Sequence, residues 1–193
     1  CSVGNAAGSN TVSYMVVAGG GGANRNYAGA GGAGGFRESK AANDTYTASP
    51  LNATSGPGYN LPVTATGFPI TIGAGGSAPP AYPNRNSCIS PGSNSVFSSI
   101  TSTGGGKAGN DGSPGGGTGG SGGGGSCNTP AGAGNTPPVS PPQGNAGGGG
   151  HSDGGVGAYF GGGGGGATVA GTGDPGSADA GPGGAGATSS ITG

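Results

Sequence analysis

Apolar residues in this chain come in short alternating runs and never in long blocks. Thr11 to Ala18, TVSYMVVA, is the most strand-like run. Val12, Tyr14 and Val16 fall on one side of an extended chain and Met15 and Val17 on the other, the period-two pattern of a half-buried strand. Leu61, Val63 and Ala65 alternate with polar residues, and Phe68, Ile70 and Ile72 do the same around Thr71. Turn residues Gly56-Pro57-Gly58 and Gly67 punctuate these runs. Val96, Ser98 and Ile100 predict one more strand, with those three on one side. Residues 37–54 hold the charge clusters RESK and AND and are expected to form an exposed loop with an extended piece. Residues 78–92, rich in Pro and Asn, predict a second exposed loop. The pattern predicts almost no α-helix.

From Gly104 to Gly193 the alternation gives way to something close to a glycine polymer, with GGGG at 147–150 and GGGGGG at 161–166. Gly weakens helices and ordinary strands alike. A flexible Gly/Ser linker is one reading. The other is a packed bundle of three-residue-per-turn extended segments, polyglycine II, in which backbones approach closely enough to pair. Collagen is excluded, because GGGTGGSGGGG and HSDGGVGAYF break a strict Gly-X-Y period. In a bundle, non-Gly residues recur every third position on exposed faces, as Thr118, Ser121 and Cys127 do. Thr136-Pro137-Pro138 and Pro141-Pro142 would reverse the chain between rods. The expected fold is therefore mainly irregular and β. Residues 1–103 form a short-strand region with exposed loops, and residues 104–193 a polyglycine II bundle continuous with it.

Composition sharpens the choice between disorder and packing. There are 56 Gly and 16 Pro, which alone would point to low complexity. Disordered chains are usually rich in charge, yet only 6% of these residues are charged and the net charge is −1. Charge repulsion does not hold the chain open, and packing is favoured. Five Lys plus Arg are too few to neutralise a phosphate backbone, so nucleic acid is not an expected partner. No apolar run is long enough for a membrane helix, and no membrane insertion is expected. The chain opens on Cys1 and SSIT at 98–101 recurs at 189–192, both read as signs of a processed or truncated piece of a longer protein.

Chemistry-bearing motifs are weak. Cys1, Cys88 and Cys127 fit no zinc spacing. Cys88 and Cys127 either form a bridge, worth about 3–4 kcal/mol by loop closure, or remain two thiols. G-x-G-x-x-G occurs at 29–34 and 171–176, but neither opens a helix, so no nucleotide cofactor is expected. His151 stands beside Ser152 and Asp153 without a third metal ligand or a partnered nucleophile. The dispersed acids form no carboxylate pair, so no enzyme, metal or cofactor is expected. What remain are loop-tip aromatic and polar residues: Arg25, Tyr27, Tyr59, Tyr82, Asn84, Arg85, Asn86, His151, Tyr159 and Phe160. Aromatics and Arg on loops of a rigid scaffold suit binding. Phe36, Tyr159 and Phe160 have a second reading, as caps filling the ends of the bundle.

The ordered series SYMVVAGGGGA, GGAGGF, SPLNAT, PVTATGFPITIGAGG, SNSVFSSITSTGGG, AGNTPPVSPPQGN and GAGATSSITG resembles the glycine-rich domain of tail-fibre and other virion proteins of tailed phages, especially marine and cyanobacterial ones. The resemblance covers nearly the whole chain. In the distal adhesins of T-even-like phages, similar motifs form a polyglycine II sandwich whose loops contact the host. The resemblance implies a virion-surface fibre protein that recognises a host glycan or outer-membrane protein. It would work beside other virion proteins, with a homo-oligomer as one arrangement. Two rival expectations are a purely structural extracellular filament and an ice-binding surface.

Overall fold

The alternating run at the start becomes two strands with the faces its pattern predicts. The computed structural model describes residues 10–25, 28–56, 58–78, 89–110, 114–153, 159–173 and 179–192. Strands β1 (Thr11–Val12) and β2 (Tyr14–Val17) are followed by β3 (Phe36–Ser39), β4 (Leu61–Pro62), β5 (Ile70–Thr71), β6 (Ser95–Phe97), β7 (Ile100–Ser102), β8 (His151–Ser152) and β9 (Tyr159–Phe160). No helix occurs among the described residues, and the fold is mainly irregular and β. All strand pairs are antiparallel, in sheets β1-β4, β2-β3, β5-β6-β7 and β8-β9. Along β2, Tyr14 and Val16 are buried, while Met15 and Val17 are exposed.

β2 packs over β6 and β7, and β3 over β7. Between these layers Tyr14, Val16, Leu61 and Ile100 make the apolar core, flanked by Val12 and Phe97. The rings of Tyr14 and Phe97 lie 6.1 Å apart. Each fully buried side chain of this kind contributes about 1.5–3 kcal/mol, so this core is small. β5 has neither β2 nor β3 over it, and Ile70 and Ile72 are accordingly 70% and 85% exposed. Burial pushes the Tyr14 hydroxyl above its ordinary value, with the Arg37 charge opposing. Below about pH 10 the phenol is neutral folded and unfolded, and its contribution is intact. Above that, the unfolded chain ionises first and stability falls. Denaturant midpoints measured from about pH 8 to 12 should therefore drop at the alkaline end, and Tyr14→Phe should flatten the drop.

Two expectations for the β region are corrected. Residues 95–102 are not one strand carrying Val96, Ser98 and Ile100 on one side. They form the hairpin β6–β7, turned at Ser98 with φ of 53°, and pair Phe97 with Ile100. Residues 37–39 are not part of an exposed loop. They belong to β3, whose Glu38 and Ser39 are each 1% exposed. Pairing with β2 (Met15 opposite Glu38) and a parallel bridge from Glu38 to Asn52 enclose the strand on both edges.

The glycine segments lie side by side and bond through their backbones. Segment 119–126 is buried along its whole length. Ser121 and Gly124 donate to Ala33 and Ala30, and Gly122 and Gly125 to Asn145 and Gly148. Gly106 and Gly109 donate to Ser121 and Gly124, Gly162 and Gly165 to Gly125 and Gly122, and Gly132 and Asn135 to Gly123 and Gly120. Each neighbour is met every third residue, so successive peptide groups point in different directions around the segment. Segment 161–167 is buried in the same way. A segment with backbones on all sides has little room for side chains, and 119–126 holds none larger than those of Ser121 and Ser126. A Cβ at Gly124 would stand 2.0 Å from the Gly162 carbonyl oxygen, and one at Gly163 1.9 Å from that of Pro182. Backbone freedom is not the reason for these glycines: among the described ones only Gly56 and Gly58 take positive φ, 78° and 95°. The expected exposed row is also corrected. Thr118 is exposed, but Ser121 is fully buried and donates to the Gly166 carbonyl at 3.1 Å.

Polar side chains tie the segments to the strands. Between segments 132–136 and 145–148 the chain reverses direction. The Thr136–Pro137 and Ser140–Pro141 peptides there are cis. Asn135 Oδ1 accepts from the Val139 and Gln143 amides. Gln143, fully buried, accepts from the Thr103 amide at 2.8 Å and donates to the Pro137 carbonyl at 3.0 Å. Near the other end of the chain, Ser189 donates to Glu38 at 2.6 Å, and Thr47 and Ser190 exchange hydrogen bonds.

Candidate functional site

The candidate binding residues are expected on loops between glycine segments. Tyr27, Tyr82, Asn84, Arg85, Asn86 and Cys88 lie outside the described residues, and so does a Cys88–Cys127 bridge. Cys127 itself is half-buried, with φ of 42°, in a turn with Asn128. Arg25 is exposed at a bend, and Tyr59 is half-buried in the turn before β4.

His151, Tyr159 and Phe160 are brought together. Segment 145–150 runs into β8, and β9 runs into segment 161–166. The two strands form a ribbon with His151 opposite Phe160 and Ser152 opposite Tyr159. Cross-strand partners share a face and successive residues alternate. His151 and Phe160 therefore stand on one face, and Ser152 and Tyr159 on the other. His151 Nε2 lies 3.1 Å from Asp153 Oδ1, with the two side chains 43% and 39% exposed. Asn128 Oδ1 accepts from the Ser152 amide at 2.9 Å and steadies the ribbon against the Cys127–Asn128 turn. Tyr159 is 41% exposed and Phe160 half-buried. Phe36 is buried in β3, opposite Val17.

The chain's fold was decided in part by a cluster the sequence did not reveal. Glu38 accepts from the Ser49 amide at 2.8 Å as well as from Ser189. Lys40 Nζ sits 5.3 Å from the centre of the Tyr46 ring, a cation–π distance. Burial, and then the nearby Glu38 and Asp44 carboxylates, raise the Tyr46 hydroxyl above its ordinary value, with the neighbouring Ser13 hydroxyl opposing. RESK signalled charge, but nothing in its spacing signalled burial. Among the described residues no group of three or more His, Cys, Asp or Glu is placed to hold a metal ion. Among them, too, no helix is long and apolar enough to cross a membrane.

A family model for the glycine-rich domain matches residues 2–193. The chain belongs to the glycine-rich domain family. No curated protein and no solved structure matches it. The match takes in the strands as well as the glycine segments, in keeping with the glycine-rich domain's interleaving of segments 28–35 and 103–109 around 119–126.

Proposed function

We propose that this glycine-rich domain is a display scaffold in a virion-surface fibre, with loops that contact a host-cell glycan or outer-membrane protein. The supporting observation is the packing of segment 119–126. Backbone bonds to its neighbours repeat every third residue, and the segment is buried throughout. We read this arrangement as polyglycine II, whose three-residue turn sends successive peptide groups toward different neighbours. Such a scaffold is rigid and nearly without side chains inside, so side chains able to recognise anything collect where segments end. The β8–β9 ribbon is one such place. The likeness of the sequence to phage fibre proteins supplies the biological setting.

The proposal assigns no bond chemistry to the chain. Its test is competition: purified protein added to a culture of the host should slow virion adsorption in a dose-dependent way. Unchanged adsorption at saturating protein would remove host recognition and leave a purely structural filament. A structure at atomic resolution tests the scaffold separately, by backbone angles near φ −75° and ψ +145° through residues 119–125.

A further inference from the structure

The ribbon at the end of segments 145–150 and 161–166 has two chemically different faces. One carries Ser152 and Tyr159. The other carries His151 and Phe160, and Asp153, just past the end of β8, is held beside His151 by the contact between their side chains. We infer that the His151, Asp153 and Phe160 face binds a neutral saccharide. This deepens the display reading and rests on it only for the identity of the host.

Three features point to a sugar without charge. A pyranose has an apolar C–H face and a rim of hydroxyls. Phe160 offers a half-buried ring to the first. The His151–Asp153 pair offers a donor–acceptor set to the second. The contact between Nε2 and Oδ1 holds both side chains in place at 3.1 Å. It leaves imidazole Nδ1 and the second carboxylate oxygen without a partner among the described residues. A carboxylate accepts readily from hydroxyls, and such charge-assisted bonds are the strong ones. The same carboxylate repels sialic acid, uronic acids and phosphorylated sugars. A protein partner fits less well. A stable protein interface takes roughly 800 Å² from each side, and the stretches that adjoin this ribbon, 147–150 and 161–166, are glycines with no side chains to add.

The test is saturation-transfer NMR on the intact chain. The probes are neutral glucose-, galactose- and mannose-type oligosaccharides, set against sialylated and phosphorylated ones. At least one neutral probe should bind. Asp153→Ala and His151→Ala should each weaken it tenfold or more. Both side chains are well exposed, so thermal midpoints should stay near that of the unaltered protein. Val169→Ser, at an exposed residue outside the ribbon, should leave binding within twofold. Equal or tighter binding of acidic probes overturns the inference, as does a loss in Val169→Ser matching that in Asp153→Ala. Absence of binding by every probe also overturns it. Should the protein still compete for adsorption in that case, the display reading stands with a protein receptor.

Discussion

Gly124→Ala should unfold the glycine array or cost it about 3 kcal/mol or more, at the upper end of overpacking effects. The added Cβ would lie 2.0 Å from the Gly162 carbonyl oxygen and 2.6 Å from its carbonyl carbon. Those are backbone atoms and cannot rotate away. Relief requires segments 119–126 and 161–167 to move apart, and movement breaks the bonds that Gly162 and Gly165 donate to Gly125 and Gly122. Domains are stable by only about 5–15 kcal/mol, so a loss of this size is a large fraction of the total. Two controls separate crowding from backbone strain. A Cβ added at Gly67 would meet nothing within 4 Å, and φ there is not positive, so Gly67→Ala should shift stability by less than about 0.5 kcal/mol. Gly56 has equal space but φ of 78°, so Gly56→Ala should cost about 1 kcal/mol through conformation alone. Denaturant midpoints for the three variants should fall in the order Gly67, Gly56, Gly124. A Gly124→Ala protein as stable as the parent would mean that these two segments are not packed at this distance.

Glu38→Ala should cost about 2–3 kcal/mol and loosen residues 188–192. The carboxylate is 1% exposed and has no salt bridge among the described residues. Burying such a charge is itself unfavourable, so its removal has two opposing effects. What decides the sign is the fate of its partners. The Ser49 amide belongs to a residue 5% exposed, and Glu38 Oε2 is the acceptor that satisfies it. Ser189 loses its acceptor as well, and with it the tie to β3 that spans most of the sequence. A buried donor left unpaired costs more than the relief of the charge returns. Glu38→Gln keeps one acceptor oxygen and should lose less. Amide exchange at Thr47 and Ser190, which bond each other across the same junction, should accelerate in Glu38→Ala. Unchanged exchange there, with unchanged stability, would show that Glu38 does not hold the junction.

These two sites mark the limits of what the chain's pattern conveys. The Thr11–Ala18 run was legible, down to which residues share a face, because alternation along a strand is a local property. Ser95–Ser102 was not legible as a hairpin: the turn at Ser98 uses a positive φ on a residue type that gives little warning of it. Burial of Glu38 was illegible for a different reason. Its cover comes from Ser49, Asn52 and Ser189, and the last lies 151 positions away. At the ribbon, the residue types were visible in HSD and YF. Their division between two faces required the pairing of His151 with Phe160.

The glycine half shows the same boundary in its clearest form. Composition alone argued against helix in residues 104–193, showed few charges there and left two choices, a flexible linker or burial by backbone pairing. It could not establish which segment lies beside which. Apolar stripes specify a neighbour through the shape of side chains, and glycine has none. Segment 119–126 became the centre through bonds to backbones from several parts of the chain, and that placement buried Ser121 where a row of exposed residues was expected. Tertiary packing therefore chose the centre, and the near-absence of side chains at that centre is what made the choice invisible in one dimension.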